Sequence, residues 1–230
     1  QPLEAALKAV WPSEDSSIQF VHGRGHGTDD NRGFLRGDSL LVVIVVTDED
    51  DCSAQDLSVF DSSSVNPNAP AINLACHYAG DKLYGVQRYV DHLKHVRPNN
   101  DNVIFSVVAG VPAELVADDF RGVYDLTQSA DAKRYYDAVL AHPLMQERID
   151  DPGDGAGHVS PSCVKLVAAA PDAFSTEVLH AATPPRRLVA VARGFGENAV
   201  LGSFCQDHFG DTMGHLIRAV GEKMSGQSGR

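Results

Sequence analysis

The chain has 230 residues and a mass of 24.6 kDa, with 31 acidic against 19 basic side chains and a formal net charge of −12. That length allows one sizeable hydrophobic core with at most a satellite subdomain. The charge disfavours nucleic acid, whose binding is dominated by Lys and Arg contacts to phosphate, and no apolar run approaches the ~18 residues of a membrane span.

In chain order, Leu3, Ala6, Leu7 and Val10 fall at helical spacing, and Trp11-Pro12 ends that helix. No basic segment followed by an apolar one opens the chain as a secretory signal would, and a start at Gln1-Pro2 inside a helix pattern reads as a fragment or a processed product. Residues 12–37 are polar and glycine-rich, with Gly23-Arg-Gly-His-Gly27 and Asp29-Asp-Asn31, and read as a long surface loop with a short extended piece at Ile18 to Val21.

Leu40 to Val46 is a continuous β-branched run, the pattern of a strand buried on both faces in a parallel sheet. Thr47-Asp-Glu-Asp-Asp-Cys52 follows at its carboxyl end, where open α/β sheets bind ligands. Residues 47–80 read as loop, broken by Ser62-Ser-Ser64 and Asn66-Pro-Asn68. Leu83, Val86, Val90, Leu93 and Val96 mark an amphipathic helix that ends before Pro98. Val103 to Val108 is the second buried strand, a helix over Ala130 to Met145 follows, and Arg186 to Phe195 is the next helix. A third strand spans Ala199 to Phe204, a terminal helix spans Phe209 to Met224 with Met213, Leu216, Ile217 and Val220 as its stripe, and 225–230 reads as a loose tail.

Alternating strands and helices predict an α/β fold, an open, mostly parallel, Rossmann-like sheet with helices on both faces. The roughly 75 residues between the second strand and the helix Arg186 to Phe195 exceed any ordinary connection, so residues 113–163 are assigned to an insertion over the carboxyl-end face, with 1–112 and 164–224 as the core.

Asp48, Asp50, Asp51 and Ser53 carry oxygen ligands suited to a hard cation such as Mg2+ or Ca2+. The competing reading is a solvated acidic loop in which a carboxylate caps a helix amino terminus. His22 and His26 have the spacing of a metal pair on a helix, but Gly23, Gly25 and Gly27 make a helix there improbable. His92 and His95 share a helix face without a neighbouring cysteine and read as solvent-facing. Gly194-Phe-Gly-Glu-Asn-Ala199 matches the dinucleotide fingerprint only formally, because it follows a helix and opens a strand; it reads as a glycine helix stop. Gly153-Asp-Gly-Ala-Gly-His158 lacks the Lys-Ser/Thr of a P-loop and reads as a flexible turn. No nucleophile elbow is present, and nothing in the sequence asks for an enzyme.

Together, Gln1 to Ala9, Gly33-Phe-Leu-Arg36, Thr47 to Ser53, Pro161-Ser-Cys163 and Pro185-Arg-Arg187 resemble a disulfide-containing bacterial group of the von Willebrand factor A (VWA) family, over residues 1 to about 220. The resemblance is to the carboxyl-terminal part of that domain, since the family's first metal motif, Asp-x-Ser-x-Ser, is absent. It implies that Asp48 supports a divalent cation, and that the chain is a non-enzymatic, exported adhesion or binding module, periplasmic, secreted or on the cell surface. In that fold the first visible strand is central. Such a strand left as an open edge invites aggregation, so an upstream segment or a second chain is expected to complete the sheet, with residues 17–22 as an alternative. The implied function is recognition of a protein ligand through the cation; a structural subunit of an extracellular or envelope assembly, with a degenerate metal site, is the second possibility. Cys52, Cys76, Cys163 and Cys205 lack any Cys-x-x-Cys pair, which argues against a zinc ribbon. Two disulfides suit export, and the pairing Cys52–Cys76 with Cys163–Cys205 is chosen among three connectivities because each closes a moderate loop.

Overall fold

A computed structural model describes residues 1–37, 39–61, 72–150, 157–168 and 177–227. In chain order the elements are α1 (Pro2–Val10), β1 (Leu41–Val46), α2 (Ala75–Tyr78), α3 (Gln87–His95), β2 (Val103–Ala109), α4 (Asp118–Arg121), α5 (Ser129–Ala141), β3 (Ile149–Asp150), β4 (His158–Val159), β5 (Cys163–Ala168), β6 (Glu177–Ala182), α6 (Arg186–Phe195), β7 (Ala199–Ser203) and α7 (Gly210–Gln227). They form two compact units, one of residues 1–43, 51–103 and 148–160, the other of residues 44–50, 104–147 and 161–230. The breaker segments Ser62-Ser-Ser64 and Asn66-Pro-Asn68, residues 153–156 of the glycine turn and the last three tail residues lie outside the described residues.

The first unit is built around α1. Its apolar spacing buries Leu3, Leu7 and Val10, and Pro2 at the first turn lacks only an N–H that has no partner within a helix. Glu4, also buried, meets Arg88 of the α3 helix in a two-pronged ion pair, Nη2 to Oε1 at 2.9 Å and Nε to Oε2 at 3.2 Å. The Tyr84 ring lies 4.1 Å from that guanidinium carbon, so the charge is sandwiched rather than left in an apolar gap. Leu83, expected to open the helix, instead bridges to Ala54 and packs on Val59, and α3 begins only after Gly85.

The glycine-rich loop closes the other end of α1. His26 N donates to Lys8 O at 2.8 Å and Gly27 N to Trp11 O at 2.8 Å, satisfying terminal helix carbonyls. A β-carbon on Gly25 would lie 2.2 Å from Trp11 O, and one on Gly27 would lie 2.3 Å from Val10 O. The spacing Gly-x-Gly therefore serves backbone approach, and His26 Nδ1 pairs with Asp30 instead of with His22. Gly27→Ala is expected to lose about 2 kcal/mol, because the added methyl meets backbone rather than a movable side chain; the urea midpoint measures it. The extended piece expected at Ile18 to Val21 forms no strand, although Ile18 and Phe20 are buried.

The second unit carries the sheet. Its order is β1-β2-β7, all parallel, with β2 in the middle and each residue from Val103 to Ala109 buried. The β2–β7 register runs from Phe105 opposite Ala199 to Ala109 opposite Ser203. Phe105 stacks on Phe195 of α6 at 5.3 Å, whereas Gly202, opposite Val108, receives Thr212 of α7, whose Cγ2 would sit 2.5 Å from a β-carbon there. Successive strand residues point to opposite faces, so α6 and α7 cover opposite sides of the sheet. Gly196, with φ at 61°, stops α6 as a glycine in the left-handed region can. This is the open α/β arrangement with helices on both faces that the alternation of elements predicted.

Two features differ from the sequence reading. Among the described residues β1 is an end strand, and its side chains are not buried on both faces: Ile44 is 48 % exposed and Val46 63 %. A neighbour on each side is what the run is built for, and here only β2 supplies one. The β5–β6 hairpin, antiparallel from Cys163 opposite Ala182 to Ala168 opposite Glu177, was not anticipated. Lys165 interrupts its apolar run, and Ala168-Ala-Ala170 has weak strand preference.

Candidate functional site

The carboxyl end of β1 begins in the second unit. Thr47 N donates to Val108 O at 3.1 Å, the last rung of the ladder, and Thr47 Oγ1 then accepts from Glu49 N at 3.1 Å, turning the chain. Thr183, just past the β6 strand, donates through its N to Asp48 O at 2.8 Å and through Oγ1 to Glu49 Oε2 at 3.0 Å. The Asp50 carboxylate accepts from Arg187 N, at 3.1 and 2.9 Å to its two oxygens, and from Leu188 N at 3.2 Å. These amides open α6, whose own cap position is Pro185 with no side chain to offer. Asp50 therefore supplies from a distance the acceptor and the negative charge that a helix amino terminus favours.

Asp51 and Ser53 do the same for the first unit. Asp51, 2 % exposed, accepts from Leu3 N at 3.1 Å, Ser53 N at 3.1 Å and the Ser53 hydroxyl at 2.6 Å. The Ser53 oxygen in turn accepts from Glu4 N at 3.1 Å. α1 has no capping side chain of its own at Gln1, so two of its opening amides end on this Asp-x-Ser pair. Nearby, burial pushes the Tyr89 phenol well above its ordinary range.

The structure thus brings Asp51 and Ser53 together, and gives Asp50 a different helix in the other unit. Asp48 is exposed, and its carboxylate has no hydrogen-bond partner among the described residues. Tested against a Mg2+ or Ca2+ ion, which takes six or more oxygens, the set does not fit by itself. Three of its four members direct their oxygens to backbone N–H groups. Among the described residues no cluster of three or more His, Cys, Asp or Glu side chains is arranged to hold a metal ion.

Both disulfides form as paired in the sequence reading, Cys52–Cys76 and Cys163–Cys205, with Cα separations of 5.8 and 6.1 Å. The second fastens the base of the β5–β6 hairpin to the chain just past β7. Ser162 adds to this attachment through N to Ala182 O at 2.9 Å and through its hydroxyl to Gly110 O. A β-carbon on Gly110 would lie 2.1 Å from Thr183 O, so the hairpin base sits directly on the end of β2. Beside it is a cleft of about 340 Å3, lined by Pro112, Glu114, Leu144, Pro161, Val164 and the Cys163–Cys205 bridge.

The amide partners of the acids, and Thr183, were missed in the sequence reading. Their signal was present: both α1 and α6 start on residues that cannot cap, Gln1-Pro2 and Pro184-Pro185, so each needs an acceptor from elsewhere. Comparison of the chain with family models, with curated proteins and with solved structures gave no match.

Proposed function

We propose that the chain is a non-enzymatic, exported binding module of the VWA type that recognises a protein partner at the carboxyl end of its sheet. The observation that supports this reading most is the exposed Asp48 carboxylate, without a hydrogen-bond partner among the described residues, beside a disulfide-anchored hairpin at the end of a parallel sheet where ligands gather. The hairpin base and the cleft at Val164 would form the rim that selects the partner. For Mg2+ or Ca2+, Asp48 is the ligand this chain retains, and further donors would have to come from the segment that completes the sheet at β1 or from the partner. Two disulfides, and the absence among the described residues of any helix long and apolar enough to cross a membrane, are compatible with export.

Calorimetric titration with MgCl2 and CaCl2 of the chain together with the segment that completes the sheet tests the role of Asp48. The expected result is weak binding that disappears in Asp48→Ala and persists in Asp50→Asn. Heat that survives Asp48→Ala overturns the assignment. No heat with the wild-type chain favours the second reading, a structural subunit of an extracellular or envelope assembly with a degenerate metal site, which the capping roles of Asp50, Asp51 and Ser53 support.

A further inference from the structure

Two apolar surfaces of the second unit are exposed. One is the β1 face formed by Ile44, 48 % exposed, and Val46, 63 %. The other is a stripe on α7, where Met213, Ile217 and Met224 are 38, 71 and 58 % exposed. Their spacing of four and seven residues puts all three on one flank of the helix. Thr212 and Leu216 occupy the neighbouring flank and are buried.

Both surfaces lie on the same side of the sheet. In a parallel ladder the bond from Thr47 N to Val108 O sets Val46 beside Val108. Val108 is opposite Gly202, and Gly202 is where Thr212 of α7 sits. Val46 and α7 therefore share a face, with α7 over β7 and the carboxyl half of that face of β1, at Ile44 and Val46, exposed. The β2–α6–β7 crossover passes behind that face, and with the right-handed sense usual for such units the right-handed turn of α7 carries Met213, Ile217 and Met224 to the flank that looks across the sheet toward β1.

The dimensions select the occupant. β1 lies two strand spacings from β7, about 9.6 Å at ~4.8 Å each. Helices packed side by side have their axes about 8–10 Å apart. A helix laid against the α7 stripe would therefore lie over Ile44 and Val46, filling the trough with one element, whereas an added strand would cover the edge of β1 and leave its face exposed. The exposed carboxylates of Asp48 and Glu49 stand at the end of β1 where α7 also begins, and a helix dipole places its amino terminus beside such charges. The net charge of −12 adds a preference for basic flanks.

We infer that this trough is the docking site for a cationic amphipathic helix of a partner polypeptide, running parallel to α7 and burying Ile44, Val46, Met213 and Ile217. The trough is on the face of the sheet rather than at its acidic end, so the inference does not depend on a cation. The probe is a synthetic 18-residue peptide with leucines at helical spacing on one face and lysine and alanine elsewhere, added in buffer containing EDTA. The sequence has six isoleucines, at 18, 44, 72, 104, 149 and 217, so labelled isoleucine methyl spectra resolve the site directly. Ile44 and Ile217 are expected to shift together along one binding curve, with Ile18 and Ile149 silent. Ile44→Lys and Ile217→Lys, both at exposed positions, are each expected to weaken binding at least tenfold. The inference is overturned if only one of the two methyls responds, or if a peptide of the same composition with scrambled leucines gives the same shifts. Sedimentation of the wild-type chain alone as a dimer that occupies these methyls would overturn it as well.

Discussion

Asp51→Ala is expected to lower unfolding stability by about 3 kcal/mol, since it removes a buried charged acceptor and strands the Leu3 amide and the Ser53 hydroxyl without a partner. Asp51→Asn keeps one oxygen acceptor and should lose roughly half as much. Asp48→Ala, at an exposed carboxylate with no partner among the described residues, should stay within about 0.5 kcal/mol of the parent. Urea denaturation of the three variants separates the two readings of the acidic run: a ligand loop would tolerate all three in the absence of metal, whereas a capping loop ranks them in this order.

Replacing Cys163 and Cys205 together by serine should be the most damaging change. A 42-residue separation corresponds to about 4 kcal/mol in the chain-entropy account of cross-links. The Cys52–Cys76 bond, with a separation of 24, gives about 3.5 kcal/mol by the same relation. Local hydrogen exchange should distinguish the cause. Without the Cys163–Cys205 bond, the amides of β5 and β6 should exchange faster while those of β2 and β7 stay protected, because the hairpin is then held by non-covalent contacts such as those of Ser162, Thr183 and Lys165. Equal acceleration throughout the second unit would assign the bond to the core rather than to the hairpin.

Strong periodicity made the main elements legible. Val103 to Val108, Arg186 to Phe195 and Ala199 to Phe204 were placed within one residue of β2, α6 and β7, because each combines one clear apolar pattern with a glycine or proline boundary. The hairpin was hidden because its residues alternate poorly and its pairing is set by a disulfide and by the end of β2. The burial of β1 was misjudged for a different reason: an apolar run reports what a strand requires, not what stands beside it. At the acidic loop, residue types alone left both ligation and capping open. What separates them is the pair of helices at 2–10 and 186–195 that begin without capping side chains, and that signal becomes informative only when the acids are read against distant helix starts.

Non-local capping also orders events during synthesis. The acceptor for the α1 amides lies 48 residues downstream of Leu3, and the acceptor for α6 lies 137 residues upstream of Arg187. On the ribosome α6 emerges when its carboxylate has long been outside the exit tunnel, whereas α1 emerges ahead of Asp51 and must wait for it to leave the tunnel. A nine-residue helix is too short to persist alone in water. Helix α1 is thus expected to become protected only once that acceptor is available, and pulse-labelled nascent chains halted with residue 53 inside or outside the exit tunnel would record the difference.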